Sequence, residues 1–193
     1  MKVLSFIIIF CLFSSVGQAK ETQVYFSPNG GCQKAVIAQI QKAHKTIKIA
    51  MYDLTSGAIA QELVKAKKRD VIVQIVLDSH QEKQTPSKGS YLTQRGCEVH
   101  LHKGSGLMHN KFAIFDGKVL LTGSFNWTVS AEQRNEENLL VLSDETLIRE
   151  YEKRFEYLWQ GARKPEGSSK YPHRKKYYRS GEYFPSSVRF FRN

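Results

Sequence analysis

The chain predicts an α/β fold: an α-β-α sandwich around a mixed, largely buried central sheet. Three observations carry this. Strand-like and helix-like stretches alternate through residues 20–161, residues 71–77 read VIVQIVL, and Asp116-Gly117 joins two apolar runs. Alternating elements lay helices over a sheet. A nearly continuous apolar run is how a strand covered on both faces looks. Asp-Gly between two such runs marks a hairpin, which brings antiparallel pairing into the sheet.

Taken in order, Val24-Tyr25-Phe26 reads as a short strand that stops at Ser27-Pro28-Asn29-Gly30-Gly31. Residues 32–43 then place Ala35, Val36, Ile40 and Ala43 at helical spacing. Residues 46–51 form a second strand, and residues 56–68 a helix opened by a serine cap at Ser56. After the strand at 71–77, the polar stretch 78–88 is expected to be a loop leading into a short helix that ends at Gly96. Further strands are predicted at 98–102, 111–115, 119–122 and 138–142, and an amphipathic helix at 144–159. Pro165, Gly167, Ser168 and Ser169 break the pattern beyond Gly161.

Three segments follow from this reading: residues 1–19, a domain at 20–161, and an extension at 162–193. The 193 residues, 41% of them hydrophobic, suffice for one domain with a normal core. Residues 3–13 are an apolar run after Lys2, followed by small and polar residues with Gly17 and Ala19 at the end. This is the layout of a secretory signal. The run falls short of the roughly 20 residues of a membrane-spanning helix. Cleavage after Ala19 is the first expectation and an uncleaved anchor the second, with a periplasmic or secreted protein in prospect. Removal of the signal would take Cys11 and leave Cys32 and Cys97, either bridged or as two buried thiols. The net charge of +11 is concentrated at the end: residues 162–193 hold nine Lys or Arg against two Glu. There Tyr171, Tyr177, Tyr178, Tyr183, Phe184, Phe190 and Phe191 are interleaved with the cations, a composition that can stack bases, neutralise phosphates or meet an anionic membrane.

One stretch concentrates chemistry. In residues 108–128, MHNKFAIFDGKVLLTGSFNWT, His109 and Lys111 lie two apart at the entry to a strand, so both side chains leave the same face. Lysine supplies a positive charge, and histidine can act as nucleophile or general acid. Gly123 lets backbone approach closely, while Ser124 and Asn126 add neutral donors. Together they suit an anionic tetrahedral group, a phosphodiester. A His-x-Lys pair alone is weak; His173-Arg174-Lys175 has the same start but Ser180 where an aspartate should stand, and no Gly-Ser-x-x-Asn follows it.

His109-x-Lys111 with Asp116, then Gly123-Ser124-Phe125-Asn126-Trp127-Thr128, resembles the HKD signature of the phospholipase D superfamily. The chain is similar above all to that group's small bacterial nucleases with a single motif. Phe26-Ser27-Pro28, Ile49-Ala50-Met51-Tyr52 and Asn135-Glu136-Glu137-Asn138 extend the likeness to roughly residues 22–160. The resemblance implies that His109 is the nucleophile, that Lys111 and Asn126 hold the non-bridging oxygens with help from Ser124, and that Glu137 accepts a hydrogen bond from the other nitrogen of His109. Asp116 closes the signature in a secondary, supporting role. No cofactor or metal is expected; His100 and His102 invite a zinc reading, but histidines alternating on a strand beside Lys103 more often form a solvated face.

The reaction also needs a proton donor on the far side of phosphorus from the nucleophile. His109 cannot stand in both places, and no other histidine has the accompanying residues. A two-fold homodimer would bring two copies of the motif face to face. For substrate, the basic body, Lys103 and the Gly104-Ser105-Gly106 loop favour nucleic acid, DNA or RNA. An anionic phospholipid such as cardiolipin is the alternative, and peripheral membrane association could run through the C-terminal extension or an uncleaved N-terminus.

Overall fold

The apolar run at 71–77 becomes an inner strand of a seven-stranded mixed sheet. In the computed structural model, which describes residues 22–84 and 86–165, the elements are β1 (Thr22–Ser27), α1 (Cys32–Lys42), β2 (Thr46–Met51), α2 (Gly57–Lys68), β3 (Ile72–Leu77), α3 (Ser79–Glu82), α4 (Gly89–Thr93), β4 (Glu98–Leu101), β5 (Lys111–Phe115), β6 (Val119–Gly123), α5 (Val129–Gln133), β7 (Glu137–Leu142) and α6 (Glu145–Gly161). The strand order is β1-β7-β6-β5-β2-β3-β4. β2, β3 and β4 run parallel, and all other pairings are antiparallel. The signal-like residues 1–19, Cys11, His173 and the aromatic-basic stretch from residue 166 onward lie outside the described residues.

Strand alternation sends successive side chains to opposite faces. Ile47, Ile49 and Met51 of β2, Val73, Ile75 and Leu77 of β3, and Ala113 and Phe115 of β5 meet Val36 and Ile40 of α1 and Ile59 and Leu63 of α2. Ala50, Val76, Phe112, Ile114 and Leu120 face the other way, onto Ile148, Phe155 and Leu158 of α6. Three layers result, as expected. Among the described residues no helix is long and apolar enough to cross a membrane.

Two one-turn helices depart from the expectation. The 78–88 stretch contains α3, because the Asp78 carboxylate accepts from the N–H groups of His80 (2.9 Å) and Gln81 (3.1 Å). Thr128 caps α5 in the same way, accepting from Ala131 N–H at 3.0 Å. Four or five residues are too few for a hydrophobic period, so only the caps mark them. At the other end the fold reaches past Gly161: Arg163 N–H donates to Leu101 O (2.9 Å), and Arg163 O accepts from Leu101 N–H (2.6 Å).

The hairpin turn has positive φ at both central residues, Asp116 (54°) and Gly117 (64°), as the primed turn that suits a twisted two-strand ribbon requires. Cys32 and Cys97 are unpaired and buried, so the bridged alternative is not the one formed. Cys32 lies beside Ser27, near Glu132 and Glu137, whereas Cys97 lies near Lys67 at the other end of the sheet. Burial pushes the two thiols up to about 11 and about 12 respectively.

Candidate active site

Sheet topology gathers the motif at one edge. The C-terminal ends of parallel β2 and β3 meet the start of β5, where Lys111 pairs with Met51, the end of β6 at Gly123, and the start of β7, where Glu137 pairs with Ser27. This is the edge where an α/β sheet leaves a crevice for ligands.

His109 stands exposed there, and Lys111 is half-buried. The Lys111 Nζ lies 3.1 Å from Nδ1 of His109 and donates to the His109 carbonyl oxygen at 2.8 Å. Tyr52, immediately after β2, floors the pair: its ring centroid is 4.4 Å from that of His109 and 4.9 Å from Lys111 Nζ. Burial lowers the Lys111 pKa, against the charges of Glu137 and Asp53, which raise it. Burial raises the Asp53 pKa, against the pull of Lys111. The site therefore sets the Lys111 ammonium near two acids, with His109 its most exposed member.

On the β6–β7 side, Ser124 Oγ donates to Glu137 Oε2 at 2.5 Å and accepts from Asn138 N–H at 3.1 Å. Phe125 and Trp127, each 1% exposed, pin the backbone on either side of Asn126. Trp127 N–H donates to Asp53 O (3.1 Å), and Trp127 O accepts from Thr55 and Ser56. Among the described residues the buried Oδ1 of Asn126 has no hydrogen-bond partner. Buried polar atoms normally find one, so this oxygen is left to accept from an N–H or O–H, while contact with a phosphate oxygen would have to come from the Nδ2 side of the same amide.

Asp116 has the supporting role expected of it and stands apart from the catalytic set: it lies past the far end of β5, about 17 Å along the strand from Lys111 at 3.4 Å per residue. Its carboxylate accepts from the N–H groups of His44 (2.9 Å), Lys45 (2.8 Å) and Thr46 (2.9 Å), tying the hairpin to the start of β2. Three other expectations are corrected. Glu137 does not hold His109; its two oxygens take Ser124 and Asn135 Nδ2 (3.1 Å), and it acts on the pair through the charge felt by Lys111. Gly123 serves strand packing instead of ligand access, since a Cβ there would sit 2.3 Å from the Asn138 carbonyl oxygen. The histidines before Lys103 are half-buried, not a solvated face, and the His100 ring stacks on Trp159 at 3.7 Å and 7°. Lys103 itself is exposed in the loop that leads from β4 to His109.

The motif-based reading missed Tyr52, Asp53, Asp78 and Gln81. A signal existed for the first two: Tyr-Asp directly follows an apolar strand, at the end where such sheets bind ligands.

An exposed imidazole beside a half-buried ammonium can bind a tetrahedral anion and offer it a nucleophile. That defines the class: an α/β protein built for phosphodiester chemistry. The chain belongs to the phospholipase D superfamily, residues 36–159 matching the family described as "Cardiolipin synthase, PLD-like domain". It is 40% identical over 126 residues to a phospholipase D of Rickettsia prowazekii, covering 65% of this chain and 62% of the relative. It is 36% identical over 125 residues to a mitochondrial cardiolipin hydrolase of Xenopus laevis, covering 65% of this chain and 60% of that one. The match thus spans about three fifths of these relatives' own length. Among solved structures it is similar to Nuc from Salmonella typhimurium, a phospholipase D family member (TM-score 0.72, 30% identity, 76% of this chain and 98% of that one). NucT from Helicobacter pylori is similar to the same degree (TM-score 0.72, 26% identity, 75% and 99%).

Proposed function

We propose that this chain is a metal-independent phosphodiesterase that hydrolyses nucleic acid through a covalent phosphohistidine. The observation that carries the reading is the 3.1 Å approach of Lys111 Nζ to the exposed His109 ring. A ring nitrogen of His109 attacks phosphorus and the bond to the leaving oxygen breaks. Lys111 and the Asn126 amide, supported by Ser124, meet the charge that collects on the non-bridging oxygens. The leaving oxygen takes a proton from the His109 of a second copy. That second histidine then removes a proton from water, the hydroxide attacks phosphorus, and the first His109 is released.

Nucleic acid is favoured by the +11 net charge, by exposed Lys103 on the loop before His109, and by similarity to Nuc over nearly that protein's whole length. A phospholipid substrate is the second reading, favoured by relatives named for cardiolipin and phospholipid hydrolysis. The secretory layout of residues 1–19 would place the protein in the periplasm or outside the cell. The deciding assay offers single-stranded DNA, duplex DNA, RNA and cardiolipin vesicles in EDTA to the wild type and to His109→Ala. Nucleic-acid cleavage that survives EDTA and vanishes in the variant supports the proposal; lipid turnover without nucleic-acid cleavage overturns the substrate. For the shared site, equal mixing of wild-type and His109→Ala chains should give mixed dimers with far less than half the activity per pair.

A further inference from the structure

His109 enters the site on coil, so regular strand pairing does not hold its ring. What holds it is a closed circuit of contacts. The fully buried Asp78, at the end of β3, accepts through Oδ2 from Met108 N–H at 2.9 Å, one residue before His109. Through Oδ1 it accepts from the N–H groups of His80 and Gln81, closing α3. The Gln81 side-chain amide donates to the Tyr52 hydroxyl at 2.8 Å. The Tyr52 ring lies against His109, and Tyr52 N–H donates to Asn110 O at 2.9 Å, one residue after it. The nucleophile is thereby bracketed on both backbone sides and along its ring, and the links through Met108 and through Gln81 both start from one carboxylate.

We infer that Asp78, Gln81 and Tyr52 are positioning residues for the phosphohistidine step, with α3 as the back-stop that sets the angle of the His109 ring. This rests on the reading of His109 as nucleophile. The functional consequence is geometric: a nucleophile held near its line of attack reacts faster, and small misplacement costs rate without costing binding. The Gln81–Tyr52 hydrogen bond is the link that can be cut without emptying the core, since neither residue is fully buried.

The test measures kcat, KM and melting temperature on bis(p-nitrophenyl) phosphate, a diester with no base or lipid to recognise, for Tyr52→Phe, Gln81→Met, the double variant and His109→Ala. Each single variant should lose about tenfold in kcat with KM and melting temperature unchanged. The double variant should be no worse than the worse single, because both cut the same bond. Tyr52→Leu, which also removes the ring, should lose more. Unchanged kcat in both singles, kcat and melting temperature falling together, or additive losses in the double would each overturn the circuit while leaving the nucleophile intact. Activity in His109→Ala would instead overturn the catalytic reading itself.

Discussion

The Lys111 ammonium nitrogen stands 3.1 Å from Nδ1 of His109. An ammonium has only N–H bonds to offer, and at this distance it can serve the non-bridging oxygens of the same phosphate that the imidazole attacks. Lys111→Met should lower kcat by about 10²–10³-fold, the usual loss when one donor to the developing oxyanion charge is removed. A variant with near-normal kcat would remove Lys111 from the transition state.

Asp116 is predicted to matter for stability and not for catalysis. Burial pushes its pKa up, but the hydrogen bonds from the backbone of His44, Thr46 and Lys45 together outweigh it and hold the carboxyl below 3.8. A folded-state value below the unfolded one adds stability above the unfolded pKa, lost as pH falls through the folded value. Asp116→Ala should cost about 1–2 kcal/mol at neutral pH with kcat unchanged. Urea melts at neutral pH and below pH 3.8 should show the gap closing in acid.

Asp53 carries the opposite sign. Burial raises its pKa above 3.8, against Lys111. A raised value means that the folded state holds the proton longer, so the group's favourable contribution is complete below the unfolded pKa and is lost as pH rises through the folded one. Ionised Asp53 therefore costs stability at neutral pH. Asp53→Asn should raise the melting temperature by about 1–3 °C there, with the difference vanishing as pH falls toward 3.8. Scanning calorimetry across that range checks it.

Gly123→Ala should damage both fold and site. The new Cβ would meet the backbone carbonyl of Asn138 at 2.3 Å, and a paired strand cannot step aside. A loss of about 2 kcal/mol or more is expected. Because Ser124 hangs from the same turn, kcat should fall in the fraction that remains folded. Chemical denaturation alongside steady-state kinetics separates the two effects.

The site was legible in sequence where it is local. His109 and Lys111 share a face because strand side chains repeat every two residues, and their atoms do meet. Ser124 and Asn126 come with the turn that carries them, but the Ser124 proton goes to Glu137 and the unpaired atom of Asn126 is an acceptor. Glu137 was placed in the right neighbourhood but with the wrong partner, since its choice between His109 and Ser124 depends on side-chain geometry that spacing does not encode. Asp116 sits five residues from Lys111 in sequence, yet one strand length from it in space.

The sequence by itself determined the strands, the main helices, the hairpin and the identity of the His-Lys pair, because periodicity reports how each residue meets core or solvent within its own element. Only the tertiary structure decided that β1 lies beside β7, that Tyr52 and Asp53 flank Lys111, and that Asp78 reaches Met108 thirty positions away. Such contacts follow from strand order and from the pairing of buried polar groups, and neither leaves a period along the chain.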